Sequence, residues 1–504
     1  MFQTRPHLPR YAQLARIIHK RHKGEALLKC PACTLGCHTI HSKAADRDGC
    51  HLHAGKSNSL DPTRAATPID IDNVDYHRVF ATKTLTDLVR AISVLRICSS
   101  DTFVTNALKL YTTSHKIFGK RLVDVLTRHT FYKQFVGGED VEALERTILN
   151  LQTAGIGSIL AVPMEEDRHE GDSSTTDRTS WYDQNRDTTF RCVKFAHEFQ
   201  PEYPMYQLKV TAFLPGDLVT KITKILKSKS SDEIPVESIA KTISSGEMVT
   251  YSALSTREND DFHLGLIRLR EIGQLSEELK VRVLVDAEYT YMNPAISLVA
   301  LAMMLNYNQE SPLVWNTYQC YLKQTYHNMN EDYQFIKAQG VGFGVKLVRG
   351  AYMYNERVLA EKDGYPSPVH DTYEDTCTMY NKSLNKLLEL IKERSPVTNL
   401  IIASHNEYSV KFAVKRINEL GLDTRSGEIF FGQLLGMSDQ ITYPLGQAKY
   451  LVYKSLPYGS IDDTIPYLVR RAQENRSVMA GVRRELNVLQ TATKSRMKSY
   501  FRST

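Results

Sequence analysis

Eight short apolar runs, each followed by a longer segment whose apolar residues fall at helical spacing, constrain this chain more than any other feature. The runs are Ser158–Val162, Gln207–Phe213, Val281–Asp286, Val314–Cys320, Gly344–Val348, Leu400–Ser404, Ile429–Gly432 and Tyr450–Lys454. Short apolar runs bounded by turn residues read as strands buried on both faces. Strand and helix alternating eight times is the pattern of a (β/α)8 barrel, here assigned to residues 154–490. A doubly wound open sheet shares the alternation, and the count alone does not separate the two. Ahead of the barrel, Leu85, Leu88, Val89, Ile92 and Leu95 recur at helical spacing in a segment running from Thr84 to about Thr113. Further helices are expected over 114–135 and, after Gly137-Gly138, over 140–153, so residues 76–153 read as a helical arm. Two stretches exceed ordinary connections. One is a polar insertion over 163–205; the other spans 215–280 and holds at least two helices, near 235–245 and 260–279. Residues 491–504 are left as a C-terminal tail.

Composition narrows the function classes. Hydrophobic residues make up 42% and charged residues 24% of the chain, the profile of a globular protein with ample core. The net charge of +6 is not concentrated on one element and no aromatic–basic stripe accompanies it, so nucleic acid is not expected as a partner. No apolar run is long enough to span a membrane, which leaves surface association open. The eight cysteines are too sparse for a disulfide scaffold and fit a reducing compartment. Arg5, Arg10, Arg16, Lys20, Arg21 and Lys23 precede the first acidic residue, Glu25, with Phe2, Leu8, Tyr11, Leu14, Ile17 and Ile18 at roughly helical spacing. That is the profile of a mitochondrial targeting segment, so residues 1–75 are read as leader and linker. Cys30 and Cys33 have zinc-ligand spacing, but residues 42–65 offer almost nothing apolar to build a module around a metal, and none is expected.

Barrel active sites lie where the strands end. Lys209 stands on the second strand, and the third ends in Asp286-Ala287-Glu288. The fourth carries Gln319, and the fifth runs from Lys346 into Arg349-Gly350-Ala351-Tyr352. The sixth gives Ser404-His405, the seventh Leu434, and the eighth ends near Ser455. A helix follows in which Tyr467, Arg470, Arg471 and Glu474 share one face. Two adjacent guanidinium forks suit a small carboxylate or phosphate; a solvated face with an Arg470–Glu474 pair is the alternative. Each strand-end residue also has a structural explanation: Asp286 as a helix cap, His405 as a satisfied core histidine, the glycines as turns. Together on one rim they point to an active site. Walker, HExxH and GxSxG motifs are absent, and Gly340-Val-Gly-Phe-Gly344 precedes a strand instead of following one, so it is no dinucleotide fingerprint. Lys209 or Lys346 as a Schiff-base lysine would make an aldolase-like lyase. A non-catalytic binding barrel is a third reading.

Four motifs in order, Lys346-Leu-Val-Arg-Gly-Ala-Tyr352, Ala403-Ser-His-Asn406, Phe431-Gly-Gln-Leu-Leu-Gly-Met437 and Tyr467-Leu-Val-Arg-Arg-Ala-Gln-Glu-Asn475, resemble the proline dehydrogenase family. The resemblance runs from about residue 84 to 490 and implies a modified (β/α)8 barrel that binds FAD. It implies that Arg470 and Arg471, with Lys209, hold the substrate carboxylate, and that Glu474 orients one arginine. Asp286 would sit close to flavin and substrate and help position Lys209. Ala287, Gln319, Lys346, Arg349, Gly350, Ala351, Ser404 and His405 would line the FAD, while Tyr352, Leu434 and Tyr467 would wall the substrate ring. Asp286 and Lys346 are the candidate catalytic residues. Many bacterial members carry Arg where this chain has Lys346 and Lys where it has Arg349, so charge is kept and bidentate geometry is not. The implied chemistry is hydride transfer from the ring carbon beside the substrate nitrogen to flavin, with ubiquinone as acceptor. Peripheral contact with the matrix side of the mitochondrial inner membrane goes with that acceptor.

The family has proline and hydroxyproline branches in animals. Proline-specific members carry Tyr twelve residues before the position of Tyr467, where this chain has Ser455. A small hydroxyl side chain leaves room for a 4-hydroxyl and can bond it, which discriminates against the analogue lacking it. The expectation is oxidation of trans-4-hydroxy-L-proline, with proline the weaker substrate.

Overall fold

Eight strands in the computed structural model close into a parallel barrel in sequence order: β1 Ile156–Ala161, β2 Met205–Leu208, β3 Arg282–Val285, β4 Val314–Gln319, β5 Phe343–Val348, β6 Thr398–Ala403, β7 Ile429–Leu434 and β8 Val452–Pro457. The structure describes residues 74–161, 175–200, 202–228, 234–474 and 482–503, together with Ile69 and Ile71. The leader, with its Cys30 and Cys33, lies outside the described residues. β1 closes the barrel on β8 from Ile156↔Val452 to Ala161↔Pro457, which removes the open-sheet alternative. The strand expected over Gln207–Phe213 is displaced: β2 ends at Leu208, and the apolar residues beyond Lys209 form a 3-10 turn over Val210–Ala212. β8 runs three residues past Lys454, because Tyr450 and Leu451 belong to the approach and not to the strand.

Alternation decides what the barrel holds, since residues two apart on a strand share a face. Ile159, Met205, Leu284, Trp315, Ile401, Phe430 and Tyr453 fill the interior at the N-terminal end. A Cβ on Gly344 would stand 2.3 Å from the Trp315 ring, so the indole needs glycine opposite. The residues two further along, Gln207, Asp286, Thr317, Lys346, Ala403 and Ser455, therefore face into the C-terminal half, and that half is polar.

The polar stretch after β1 contains one long helix, Thr175–Phe199, which buries Cys192, Val193 and Ala196. Among the described residues, three α-helices separate β2 from β3: Gly216–Lys227, Val236–Ser245 and Thr256–Glu278. The arm segment expected as one helix from Thr84 to about Thr113 is two, Leu85–Cys98 and Asp101–Phe118. Ser100 caps the second by accepting from the Phe103 N–H, and this serine break divides the pattern. Gly119 (φ +78°) turns the chain into Lys120–Thr127. Residues 491–503, set apart as a tail, continue a helix Val482–Ser503 that packs on Leu85–Cys98. It buries Leu489 and Ala492, and its Arg496 donates to the Phe80 and Lys83 carbonyls. The arm is tied to the barrel's C-terminal end. Tyr132 Oη donates to the Gly459 carbonyl at 2.5 Å and Gln134 Nε2 to that of Gly436 at 2.9 Å. A Cβ on Gly436 would meet the Gln134 carbonyl at 2.1 Å.

Candidate active site

The centre of the polar half is an ion pair, Lys346 Nζ to Asp286 Oδ1 at 2.6 Å, between the ends of β5 and β3. Lys346 is 9% exposed, so this contact is formed largely out of water. The backbone fixes the acid: the Asp286 N–H donates to the Leu208 carbonyl at 2.8 Å. The resemblance puts Asp286 beside Lys209; the pair formed here is with Lys346. Lys209 is half-buried directly after β2, in the extended backbone that opens the 3-10 turn. Beside the pair, buried Gln319 donates through Nε2 to the Glu288 carbonyl at 2.8 Å, beyond Ala287. The Glu288 carboxylate accepts from Thr211 Oγ1 at 2.6 Å.

On the other side of the rim, His405 is locked. Its Nε2 accepts the Leu434 N–H at 3.4 Å, so Nδ1 carries the proton donated to Ser438 Oγ at 3.0 Å. Burial, with the Lys454 ammonium nearby, pushes its pKa down to about 3. His405 is therefore neutral with both nitrogens engaged, and it contributes shape instead of proton transfer. Ser404 is buried next to it and accepts the Asn406 N–H at 3.1 Å.

Arg349 does not join the Lys346–Asp286 pair. It reaches outward, its guanidinium donating to Cys377 Sγ at 3.3 Å and Ser409 Oγ at 2.9 Å over the rings of Tyr373 and Tyr380. Among the described residues its Nε is buried without a hydrogen-bond partner, as is His370 Nε2. Gly350 follows with φ +120°, and a Cβ there would fall 1.7 Å from the Tyr321 ring. Half-buried Ala351 leads to Tyr352, which packs its ring 4.3 Å from that of Tyr289.

Ser455 faces the barrel interior from β8. It is 6% exposed and its hydroxyl donates to Gln207 Oε1 on β2 at 3.2 Å. Tyr467 and Arg470 lie half-buried on the helix Ile461–Glu474. Arg471 and Glu474 belong to the same helix, and their side chains lie outside the described residues.

Sequence reasoning missed a buried charge cluster behind this wall. Lys454, adjacent to Ser455, points out of the barrel and is fully buried, its Nζ 2.9 Å from Asp439 Oδ1. Lys83 of the arm holds the other oxygen at 2.8 Å. Burial pushes the Asp439 carboxyl up, but Lys454 and Lys83 outweigh it and hold it well below the usual range. Glu485 accepts the N–H groups of Ser438 and Asp439 at 2.9 and 3.0 Å, and burial together with Asp439 raises its pKa to about 7. The one signal for this cluster was a lysine on the outward face of an apolar strand. Gln207, missed as well, was legible as the residue two before Lys209 on the same face.

The sequence is similar to that of known proteins. The model of the proline dehydrogenase family matches residues 145–484. The chain belongs to the proline dehydrogenase family. Hydroxyproline dehydrogenase of Xenopus laevis is 42% identical over 419 residues, covering 83% of this chain and 89% of the relative. The human protein of that name is 39% identical over 437 residues, 85% and 93% of the two chains. Human proline dehydrogenase 1, mitochondrial, is 31% identical over 531 residues, 83% and 88% of the two chains. Proline utilization A from Bdellovibrio bacteriovorus superposes with a TM-score of 0.55 at 19% identity, over 81% of this chain and 38% of that one, which shows the shared fold. Family membership makes the protein a dehydrogenase and removes both the Schiff-base lyase and the non-catalytic barrel. No helix among the described residues is long and apolar enough to cross a membrane.

Proposed function

We propose that this protein is an FAD-dependent dehydrogenase that oxidises trans-4-hydroxy-L-proline to 1-pyrroline-3-hydroxy-5-carboxylate. L-Proline is the weaker substrate and ubiquinone the electron acceptor. The observation that carries the substrate is Ser455, small, interior-facing and bonded to Gln207. A hydroxyl has one proton to donate and two lone pairs to accept with, so Ser455 can bond Gln207 and still accept from a substrate 4-hydroxyl. A tyrosine ring at this interior position would fill the space that hydroxyl needs. The identity to hydroxyproline dehydrogenases of 39–42%, against 31% to human proline dehydrogenase 1, supports the same reading.

Arg470 and Arg471, with Lys209, grip the carboxylate; Tyr352, Leu434 and Tyr467 enclose the ring and exclude water. Asp286, held by Lys346, positions the substrate nitrogen. That nitrogen must be a neutral amine to release its electrons, so the rate rises with pH through its ionisation. Bound FAD supplies the acceptor for the hydride leaving the ring carbon beside the nitrogen. Ala287, Gln319, Lys346, Arg349, Gly350, Ala351, Ser404 and His405 line its site. The unpaired buried Nε of Arg349 is a donor that suits a phosphate-bearing cofactor. The basic leader and the mitochondrial name of a relative support a mitochondrial location, on the matrix side of the inner membrane. Purified protein should be yellow and should bleach anaerobically on addition of trans-4-hydroxy-L-proline; colourless or unbleached protein would overturn the reading.

A further inference from the structure

Helices Asp101–Phe118 and Lys120–Thr127 form a hairpin whose outer face is apolar and, among the described residues, uncovered. Ile117 is 67% exposed, Phe118 63%, Leu122 62%, Val125 53% and Leu126 65%. Among the described residues, seven of the 21 large apolar side chains that stand exposed fall within residues 108–126, so the patch is concentrated and not the ordinary scatter of a surface. Its charge is one-sided. Lys109, Lys116, Lys120, Arg121, Arg128 and Lys133 are all exposed, against Asp101 and Asp124 between residues 101 and 135. Lys109, Lys116, Arg121 and Lys133 make no ion pair among the described residues. At the Gly119 corner, cations and large apolar residues alternate, the composition of an element that lies in a lipid headgroup region.

A cavity of about 540 Å³ opens behind this patch. Leu110, Phe118, Leu122 and Leu126 belong to both its lining and the exposed face, so they form its mouth. Its inner end is formed by Leu434, Pro457 and Tyr467, at the C-terminal ends of β7 and β8 and on the helix that carries Arg470. No charged residue lines it, so it does not suit an imino-acid zwitterion. A surface anchor alone needs no apolar passage to the barrel end; a lipid-borne reactant does.

We propose that the hairpin is the docking surface for an anionic bilayer, and that the cavity beneath it takes the prenyl tail of a lipid quinone drawn from that bilayer. The quinone half rests on the acceptor assigned above; the docking half is measured without turnover. The full-length holoenzyme is floated with phosphatidylcholine vesicles and with vesicles containing a quarter cardiolipin. Wild type should float with the anionic vesicles. Removing a cation should weaken binding about fivefold at each position, so Lys116→Gln with Arg121→Gln acts multiplicatively. Ile117→Asp with Val125→Asp, both outside the cavity lining, should abolish flotation while dye-linked hydroxyproline oxidation stays at the wild-type rate. Ala107→Trp, within the cavity, should raise KM for a long-tailed quinone relative to a tailless one. Wild-type flotation by the Ile117→Asp/Val125→Asp variant overturns docking. So does conversion of a dimer to a monomer with vesicle binding intact, which would make this face an interface between copies. An unchanged ratio of quinone KM values in Ala107→Trp overturns the tail site.

Discussion

Lys454 and Ser455 are neighbours on β8, so their side chains leave the strand on opposite faces. Ser455 enters the barrel to meet Gln207, and Lys454 enters the cluster of Asp439, Lys83 and Glu485 outside it. The cluster sits under the loop that carries Ser438, the partner of His405, so its charges brace the rim from behind. Glu485 makes that brace pH-dependent. Its pKa is about 4.3 in the unfolded chain and about 7 in the folded one. A raised pKa contributes stability that is full below the unfolded value and lost as pH rises through the folded one. Between about pH 5 and 7 this group should therefore make the unfolding free energy fall as pH rises. Glu485→Gln should flatten that slope, read by urea denaturation at several pH values across the window; an unchanged slope would falsify the assignment.

The helix Val482–Ser503 supplies Glu485 to the cluster and Leu489 to the arm, so it is a structural member of the fold. Leu489 is fully buried, and Leu489→Ala should cost about 2–5 kcal/mol, visible as a lower thermal midpoint. A wild-type midpoint would return the segment to the status of a tail. The strands were legible because each is a compact apolar run, and the polar residues at their ends were legible because they interrupt those runs. Where boundaries slipped, local pattern met tertiary context. Val210 and Ala212 are apolar and buried, yet they form a 3-10 turn. The arm's apolar spacing continues across Ser99-Ser100, where a cap divides it. The charge cluster was illegible because Lys83, Asp439, Lys454 and Glu485 meet only once the barrel has closed and the last helix has returned to the arm.

At the scale of the molecule, the barrel presents two approaches to one end. The polar interior around Lys346 and Asp286 is the site proposed for the small zwitterionic substrate, and the apolar cavity behind the arm reaches Leu434, Pro457 and Tyr467 at the same end. Strand ends, arm and final helix are bonded into one compact unit over residues 65–504. In the function proposed above, this enzyme reads the 4-hydroxyl of its substrate through Ser455. The direct test is kcat/KM for trans-4-hydroxy-L-proline and for L-proline, in wild type and in Ser455→Tyr. A hydroxyl bonded in a site built for it contributes about 1–3 kcal/mol, so wild type should prefer hydroxyproline by roughly five- to a hundred-and-fiftyfold and Ser455→Tyr should shift preference toward proline. A wild-type preference for proline, or a ratio indifferent to the tyrosine, would contradict the account.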